Sequence, residues 1–577
     1  MHFRLNRRRF VQGIAGTAIL GSTGLARGAD DRAVLHGPEF DLTVDELPVN
    51  ITGVARHAIV VNGRLPAPLL RMRQGDDVTL RVTNRLRTQT SIHWHGLIVP
   101  ADMDGVPGLS FDGIAPGTTF TYRFRVNQYG TYWYHSHSRF QEQVGHYGPI
   151  VIDRRGGERH AHDREHVVLL SDWTDDDPET IYATLKKQSD YYNFGKRTFA
   201  EFMRDARDRG LAAAAAERRM WAAMRMNPTD LADVGGYSYT YLLNGASPAA
   251  NWTGTFVPGE RVRLRLINAS SMSFFDVRIP GLQMTVVATD GQDVEPVTVD
   301  ELRIGTAEVY DVIVRPRDAA YTIFAQSMDR SGFARGTLAP RAGMTAEVPP
   351  LDPRPVLSMA DMGHGAMGHG SMDHGAQDQG PVDHSTMDHS RMDHAAMGHT
   401  APAAPALSHG ADAHGPLVDM VADAPSSALD DPGVGLRDNG RRVLAYADLH
   451  TLGGPIDPRD PSRDVELHLT GHMERYVWSF DGRKFSDATP LRFAHGERLR
   501  IVLVNDTMMT HPIHLHGMWS ELTDADGAFL ARKHTVSVRP GQRLAYLVTA
   551  DALGHWAYHC HLLYHMEAGM FREVVVA

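Results

Sequence analysis

The chain has 577 residues, 42% of them hydrophobic and 22% charged, and a formal net charge of -11. Such a length suggests several domains, roughly four at about 150 residues each, with enough apolar material for a sizeable core. The acidic balance argues against nucleic acid or an anionic membrane as the main partner.

The N-terminus reads as a twin-arginine export signal over residues 1–29. Arg7, Arg8 and Arg9 precede Phe10, a short weakly apolar run goes from Val11 to Leu20, and small residues follow around Ala26 and Ala29. That run is too short to span a bilayer, and nothing later reaches about 20 apolar residues. A bacterial periplasm is the expected location. In such an oxidising compartment the single cysteine, Cys560, cannot form an internal disulfide, which leaves a free thiol kept for chemistry.

Beyond the signal the chain repeats itself. "GDDVTLRVTN" (75–84), "GERVRLRLIN" (259–268) and "GERLRIVLVN" (496–505) share a glycine, an acid, period-two alternation and a terminal Asn. Each follows a turn dipeptide: Asn62-Gly63, Asn244-Gly245 and Asp481-Gly482. Alternating strands bounded by such turns predict an all-β chain of three β-sandwiches. The expected domains are 37–155, 165–345 and 441–577.

A longer repeat aligns the first and last copies without a gap: "PGTTFTYRFRVNQYGTYWYHSH" (116–137) and "PGQRLAYLVTADALGHWAYHCH" (540–561). Ser136 therefore stands where Cys560 stands, each between two histidines. The middle copy has "AYTIFAQSM" (320–328) there, with no ligands, and reads as a metal-free spacer. Residues 175–230 lack strand alternation and predict a helical insertion. On it Met220, Met224 and Met226 read either as a buried stripe or as a metal path. Residues 346–440, rich in Pro, Ala, Gly, Asp, His and Met, predict a disordered linker.

The chain contains 32 His and 25 Met against one Cys, and imidazole and thioether are copper ligands. Four histidine clusters carry the chemistry: "HWH" (93–95), "HSH" (135–137), "HPIHLH" (511–516) and "HCHLLYHMEAGM" (559–570). On a strand, residues two apart share a face and the residue between them faces the other way. His559 and His561 thus point away from the Cys560 sulfur. Two His, one Cys and a weak axial Met define a blue-copper site, and His511, Cys560, His565 and Met570 supply that set. The remaining eight, His93, His95, His135, His137, His514, His516, His559 and His561, form four HxH pairs. Eight imidazoles can hold three coppers, two with three ligands and one with two; a structural zinc site would want only four ligands.

These clusters match the copper-binding motifs of multicopper oxidases, the group of laccases, ascorbate oxidase and ceruloplasmin. Over nearly the whole length the chain most resembles the periplasmic copper-resistance oxidases of the CopA/PcoA kind, through "SIHWHGL", "MDGVPGLSFDGIAPG", "GTYWYHSHS", "LKKQSDYYNF" and "MRMNPTDLADV". The resemblance implies cupredoxin-like Greek-key domains and four copper ions. It implies type 1 copper at His511, Cys560, His565 and Met570, and type 2 copper at His93 and His514. The type 3 pair is implied at His95, His135, His137, His516, His559 and His561. It further implies four-electron reduction of dioxygen to water, with electrons entering at type 1 copper and passing from Cys560 to the flanking histidines.

Water formation consumes protons, so a carboxylate is expected beside the cluster. Asp104 in "ADMDG" stands where the resemblance places that acid, and it also reads as an Asp-Gly turn residue. Glu567, beside the type 1 ligands, reads as a hydrogen-bond acceptor supporting them.

"MGHGAMGHGSMDH" (362–374) and "TMDHSRMDHAAMGH" (386–399) repeat Met-x-His. The pairs are Met362 with His364, Met367 with His369, Met372 with His374, Met387 with His389, Met392 with His394 and Met397 with His399. All are candidates for additional labile copper. Met508 and Met509 read either as the final approach to the type 1 site or as core. The expected substrates are Cu(I) and dioxygen, in a monomer with other periplasmic copper-resistance proteins as candidate partners. Two alternatives stay open: a laccase-type phenol oxidase, and a non-enzymatic copper-sequestering protein.

Overall fold

The structure, a computed structural model, describes residues 33–364 and 415–577. The expected export signal over residues 1–29 lies outside the described residues. So do five of the six expected Met-x-His pairs: Met367 and His369, Met372 and His374, Met387 and His389, Met392 and His394, and Met397 and His399. Only Met362 and His364 of that tract fall within them.

The three repeated stretches are strands: Asp77–Asn84, Val262–Asn268 and Arg498–Asn505. Each runs parallel to an earlier strand of its own unit, respectively Glu39–Asn50, Arg164–Thr174 and Arg463–His472. The three turn dipeptides carry positive φ at both residues, 50° and 68°, 55° and 77°, 53° and 67°. That is the type I′ geometry which Asn-Gly and Asp-Gly accept at low cost. The terminal Asn of each repeat is fully buried, and its amide closes two loops at once. Asn84 Nδ2 donates to Thr88 O and Ile114 O, Asn268 Nδ2 to Ser273 O and Ile304 O, and Asn505 Nδ2 to Met509 O and Val538 O. A buried amide left unpaired would cost about 1–3 kcal/mol, which explains why only this residue ends the motif.

The strands assemble into six sheets of four to six strands. Residues 34–153 contribute a five- and a four-stranded sheet, 164–339 a six- and a five-stranded sheet, and 463–576 another six and five. Inward side chains fill the space between paired sheets, with Leu80, Trp94, Tyr134 and Ile150 wholly buried in the first. In that unit His93–His95 lies antiparallel beside Gly130–His135; in the last, His511–Leu515 lies beside Gly554–Cys560. The four HxH motifs therefore sit on, or at the ends of, neighbouring strands of two sheets.

The insertion is helical at Pro178–Lys187, Phe199–Arg209 and Leu211–Ala223. Asp177 caps the first helix ahead of Pro178, Thr198 and Glu201 form a reciprocal capping box on the second, and Gly210 at φ 89° separates the second from the third. The third ends at Ala223, so the expected methionine stripe is broken: Met226 lies beyond the helix, buried in the core, while Met220 is exposed. The linker is also narrower than its composition suggests. Leu357, Met362, Ala422 and Leu436 are buried, and Ser426 bridges to Gln542. These apolar residues are few, but they pin irregular backbone on either side of residues 365–414 against the sandwiches.

Candidate metal centre

The first donor set lies inside the last sandwich. The Cys560 sulfur is 3.5 Å from His511 Nδ1 and 3.9 Å from His565 Nδ1, and those two nitrogens are 3.2 Å apart. Cys560, His511, His565 and Met570 are all fully buried. Met570 is brought back to the cysteine by a backbone bond, Cys560 N to Met570 O, at 3.1 Å. Thr507 Oγ1 holds His511 Nε2 at 2.8 Å, and Trp478 stacks on His565 with ring centroids 4.0 Å apart. Burial pushes the Cys560 thiol well above its ordinary value. Binding a metal there must displace a proton.

The second set spans the first and last sandwiches, whose sheet edges meet. Its eight rings form one continuous cluster, in which His95 stacks on His514 at 3.9 Å and His93 on His516 at 4.0 Å, and which contains two triads and a pair. His95, His135 and His561 have centroids 4.8 to 5.6 Å apart. His137, His516 and His559 are 5.2 Å apart throughout. His93 and His514 make the pair at 5.7 Å. Each group draws on both sandwiches.

The nitrogens show that these residues fit metal ions. His93 Nε2, His95 Nδ1, His137 Nε2, His514 Nε2 and His561 Nδ1 are buried without a hydrogen-bond partner. His516 Nε2 and His559 Nε2 face each other at 3.1 Å, as do His135 Nε2 and His561 Nε2 at 3.3 Å. Buried polar atoms are rarely left so, and imidazole nitrogens converging without partners suit copper.

Outer partners orient the rings. Asp104, 1% exposed, has Oδ2 at 2.8 Å from His516 Nδ1, Oδ1 at 3.3 Å from His93 Nδ1, and its backbone oxygen at 2.7 Å from the same nitrogen. The turn reading is met, because Gly105 behind it has φ 86° and a Cβ there would strike Ile92 O. Glu567 behaves otherwise: its carboxylate pairs with Arg139, which also binds Glu179, and touches no donor of the set.

Three residues were missed. Glu142 Oε2 lies 2.6 Å from His135 Nδ1, and burial together with Asp172 pushes this carboxyl well above its ordinary value. His534, a ninth buried imidazole, has Nδ1 3.1 Å from His95 Nε2, while its carbonyl meets His514 Nδ1 at 2.5 Å. Asp233 Oδ2 lies 2.6 Å from His565 Nε2 and accepts from Tyr476 OH at 2.8 Å. Asp233 stands in "MRMNPTDLADV", a segment quoted for its resemblance only, and His534 belongs to no HxH pair. Of the Met-x-His tract, His364 Nδ1 meets Asp423 Oδ2 at 3.0 Å and Met362 is buried. Its other histidines, His369, His374, His389, His394 and His399, lie outside the described residues.

Burial first, then repulsion from neighbouring rings, holds His95, His135, His137, His514, His516 and His561 well below the usual 6.5, and burial takes His559 to about 4. These imidazoles are neutral donors at neutral pH. Their folded values lie below the unfolded ones, so the stability they contribute is complete above about pH 6.5 and is lost as pH falls. His559 alone amounts to roughly 3 kcal/mol. The melting temperature of metal-free protein is expected to fall steeply between about pH 6.5 and 4; a level profile in calorimetry would contradict it.

Stacked β-sandwiches sharing a cage of eight imidazoles, with a Cys-His-His-Met set one peptide away, define a class: copper proteins that join an electron-transfer site to a multinuclear one. Family models described as multicopper oxidase match residues 43–157, 164–341 and 458–577. Copper resistance protein A of Pseudomonas syringae pv. tomato is 62% identical over 607 residues, and that of Escherichia coli 58% over 603, each covering 100% of both chains. The chain belongs to the multicopper oxidases, in the group of copper resistance protein A, and its family implies copper cofactors. The laccase from Botrytis aclada shares the cupredoxin-like fold, with a TM-score of 0.62 at 22% identity over 95% of this chain and 88% of that one.

Proposed function

We propose that this chain is a periplasmic cuprous oxidase that couples one-electron oxidation of Cu(I) to four-electron reduction of dioxygen to water, as part of copper resistance. One observation carries the oxidase reading: Cys560 directs its sulfur to His511 and His565 while its neighbours His559 and His561 face the cage. The two sites are thereby joined by the few bonds of one tripeptide.

Residues 37–155, 165–345 and 441–577 form the cupredoxin domains on this reading, with the Tat signal at 1–29 and the Met/His-rich linker within 346–440. His511, Cys560, His565 and Met570 hold type 1 copper. His93 and His514 hold type 2. One triad of His95, His135 and His561 and another of His137, His516 and His559 hold the type 3 pair. Copper there supplies one-electron redox chemistry and a place for dioxygen to bind. Asp104 holds two ligand rings in register and sits where a proton can be handed inward. Met362, His364 and the Met-x-His pairs that follow, with His369, His374, His389, His394 and His399, carry additional labile copper.

Support for a metal-ion substrate comes from the outer edge of His565. Its Nε2 is closed off by the buried Asp233, and the small cavity beside that carboxylate has Met272, Met328 and Met509 in its lining, together with Leu231, Tyr241 and Phe274. Thioether donors suit a cuprous ion in transit. A phenol oxidase would want an apolar pocket opening on that histidine. The names of the relatives, copper resistance protein A, point the same way.

Oxygen uptake by purified, copper-loaded protein decides among the readings. Rapid turnover of a Cu(I) complex with poor turnover of a phenol is expected. The reverse order would establish a laccase, and copper binding without oxygen uptake would establish a sequestering protein.

A further inference from the structure

We infer that the first sandwich contains a second, disused type 1 copper site, with each of its four donors exchanged for a hydrogen-bonding or weaker group. This rests on reading His511, Cys560, His565 and Met570 as a copper site. Strand register fixes the correspondence: His93 pairs with His135 as His514 pairs with His559. Counting from those pairs, Thr90 stands for His511, Ser136 for Cys560, Gln141 for His565 and His146 for Met570.

The two ligand loops close with the same three backbone bonds, although only the one at Leu563–Glu567 is helical. Ser136 N donates to His146 O at 3.1 Å, as Cys560 N does to Met570 O at 3.1 Å. His146 N donates to Gln141 O at 3.0 Å, as Met570 N does to His565 O at 3.0 Å. Gly145 N reaches Glu142 O at 3.1 Å, as Gly569 N reaches Met566 O at 3.1 Å, and the two glycines adopt φ 116° and 126°.

The side chains converge as the metal donors do. Thr90 Oγ1 donates to Gln141 Oε1 at 2.6 Å, Ser136 Oγ donates to the same oxygen at 2.9 Å, and His146 Nδ1 lies 3.4 Å from Thr90 Oγ1. Thr90, Ser136 and His146 are fully buried and Gln141 nearly so. His146 Nε2 is left without a partner. A hydrogen-bonded knot thus ties together the positions that a metal would tie together. Donor chemistry, not backbone shape, separates the two sites. The ligand the refitted site would take is copper bound by thiolate and imidazole.

The test is to restore the donors with Thr90→His, Ser136→Cys, Gln141→His and His146→Met together, in wild type and in a Cys560→Ser background. Wild type must first show its own blue absorption; its absence would sink the parent reading instead. In the Cys560→Ser background the four substitutions are expected to return a thiolate-to-copper band with a type 1 paramagnetic signal and one more copper per chain. In the wild-type background they are expected to raise that band roughly twofold. Folded protein with intact cage copper and no new thiolate band would overturn the inference. Should the fourfold variant be recovered unfolded, Ser136→Cys with Gln141→His decides, since His146 supplies a further imidazole. Thiolate-to-metal absorption on adding Cu(II) or Hg(II) is then expected, and its absence is equally decisive.

Discussion

Cys560→Ser is expected to abolish the blue absorption and to cut oxygen consumption by about a thousandfold or more, while the cage keeps its copper. The residue is wholly buried and supplies a sulfur 3.5 Å from His511 Nδ1 and 3.9 Å from His565 Nδ1. A hydroxyl cannot replace a soft thiolate as a copper donor. The fold should survive, since Ser136 occupies the matching position with the same backbone bond. His559 and His561 face the other way and lose nothing. Absorption and paramagnetic resonance spectra check this, and a variant that stays blue would refute the placement of type 1 copper.

Lys533→Ala is expected to destabilise the protein by about 3–5 kcal/mol, the usual effect of removing one partner from a buried ionic cluster. Lys533 Nζ is fully buried, 3.1 Å from Asp290 Oδ2, 3.2 Å from Glu308 Oε1 and 2.9 Å from Thr289 Oγ1. Burial alone would lower its pKa, but Asp290, Tyr310 and Glu308 together raise it well above the ordinary value. Without it two carboxylates remain in a dry interior. Asp290 also accepts from the backbone NH groups of His534 and Thr535, and the His534 carbonyl holds His514. Copper should therefore be lost from the cage more readily in this variant. Denaturant titration with a copper count checks both effects, and a loss below about 1 kcal/mol would refute the role.

The donor residues were legible because sheet geometry is periodic. A histidine at every second position must share a face, so HxH pairs announce a convergent site from sequence alone. The repeats were legible for a related reason: type I′ turns and loop-closing asparagines tolerate few substitutes. Glu142, His534 and Asp233 were not legible. Each meets its histidine across a separation that no local pattern encodes: seven residues along an irregular loop for Glu142 and His135, and 332 between Asp233 and His565. The third insertion helix shows a milder limit. Methionines four apart suggested one face, but the helix ends at Ala223 and Met226 turns inward with the core.

The middle sandwich makes the division plainest. By sequence it carries no copper donors and reads as a spacer, yet its Asp290 and Glu308 anchor the strand that positions His514, and Asp233 closes the outer nitrogen of His565. Sequence by itself determined which atoms can bind copper and that they lie on strands, because ligand chemistry and side-chain alternation are local properties. Only the tertiary structure decided which nitrogens stay bare and which carboxylates stand behind them. Those follow from how three sandwiches meet, and the energy of burying charge and ring nitrogen is set at that meeting.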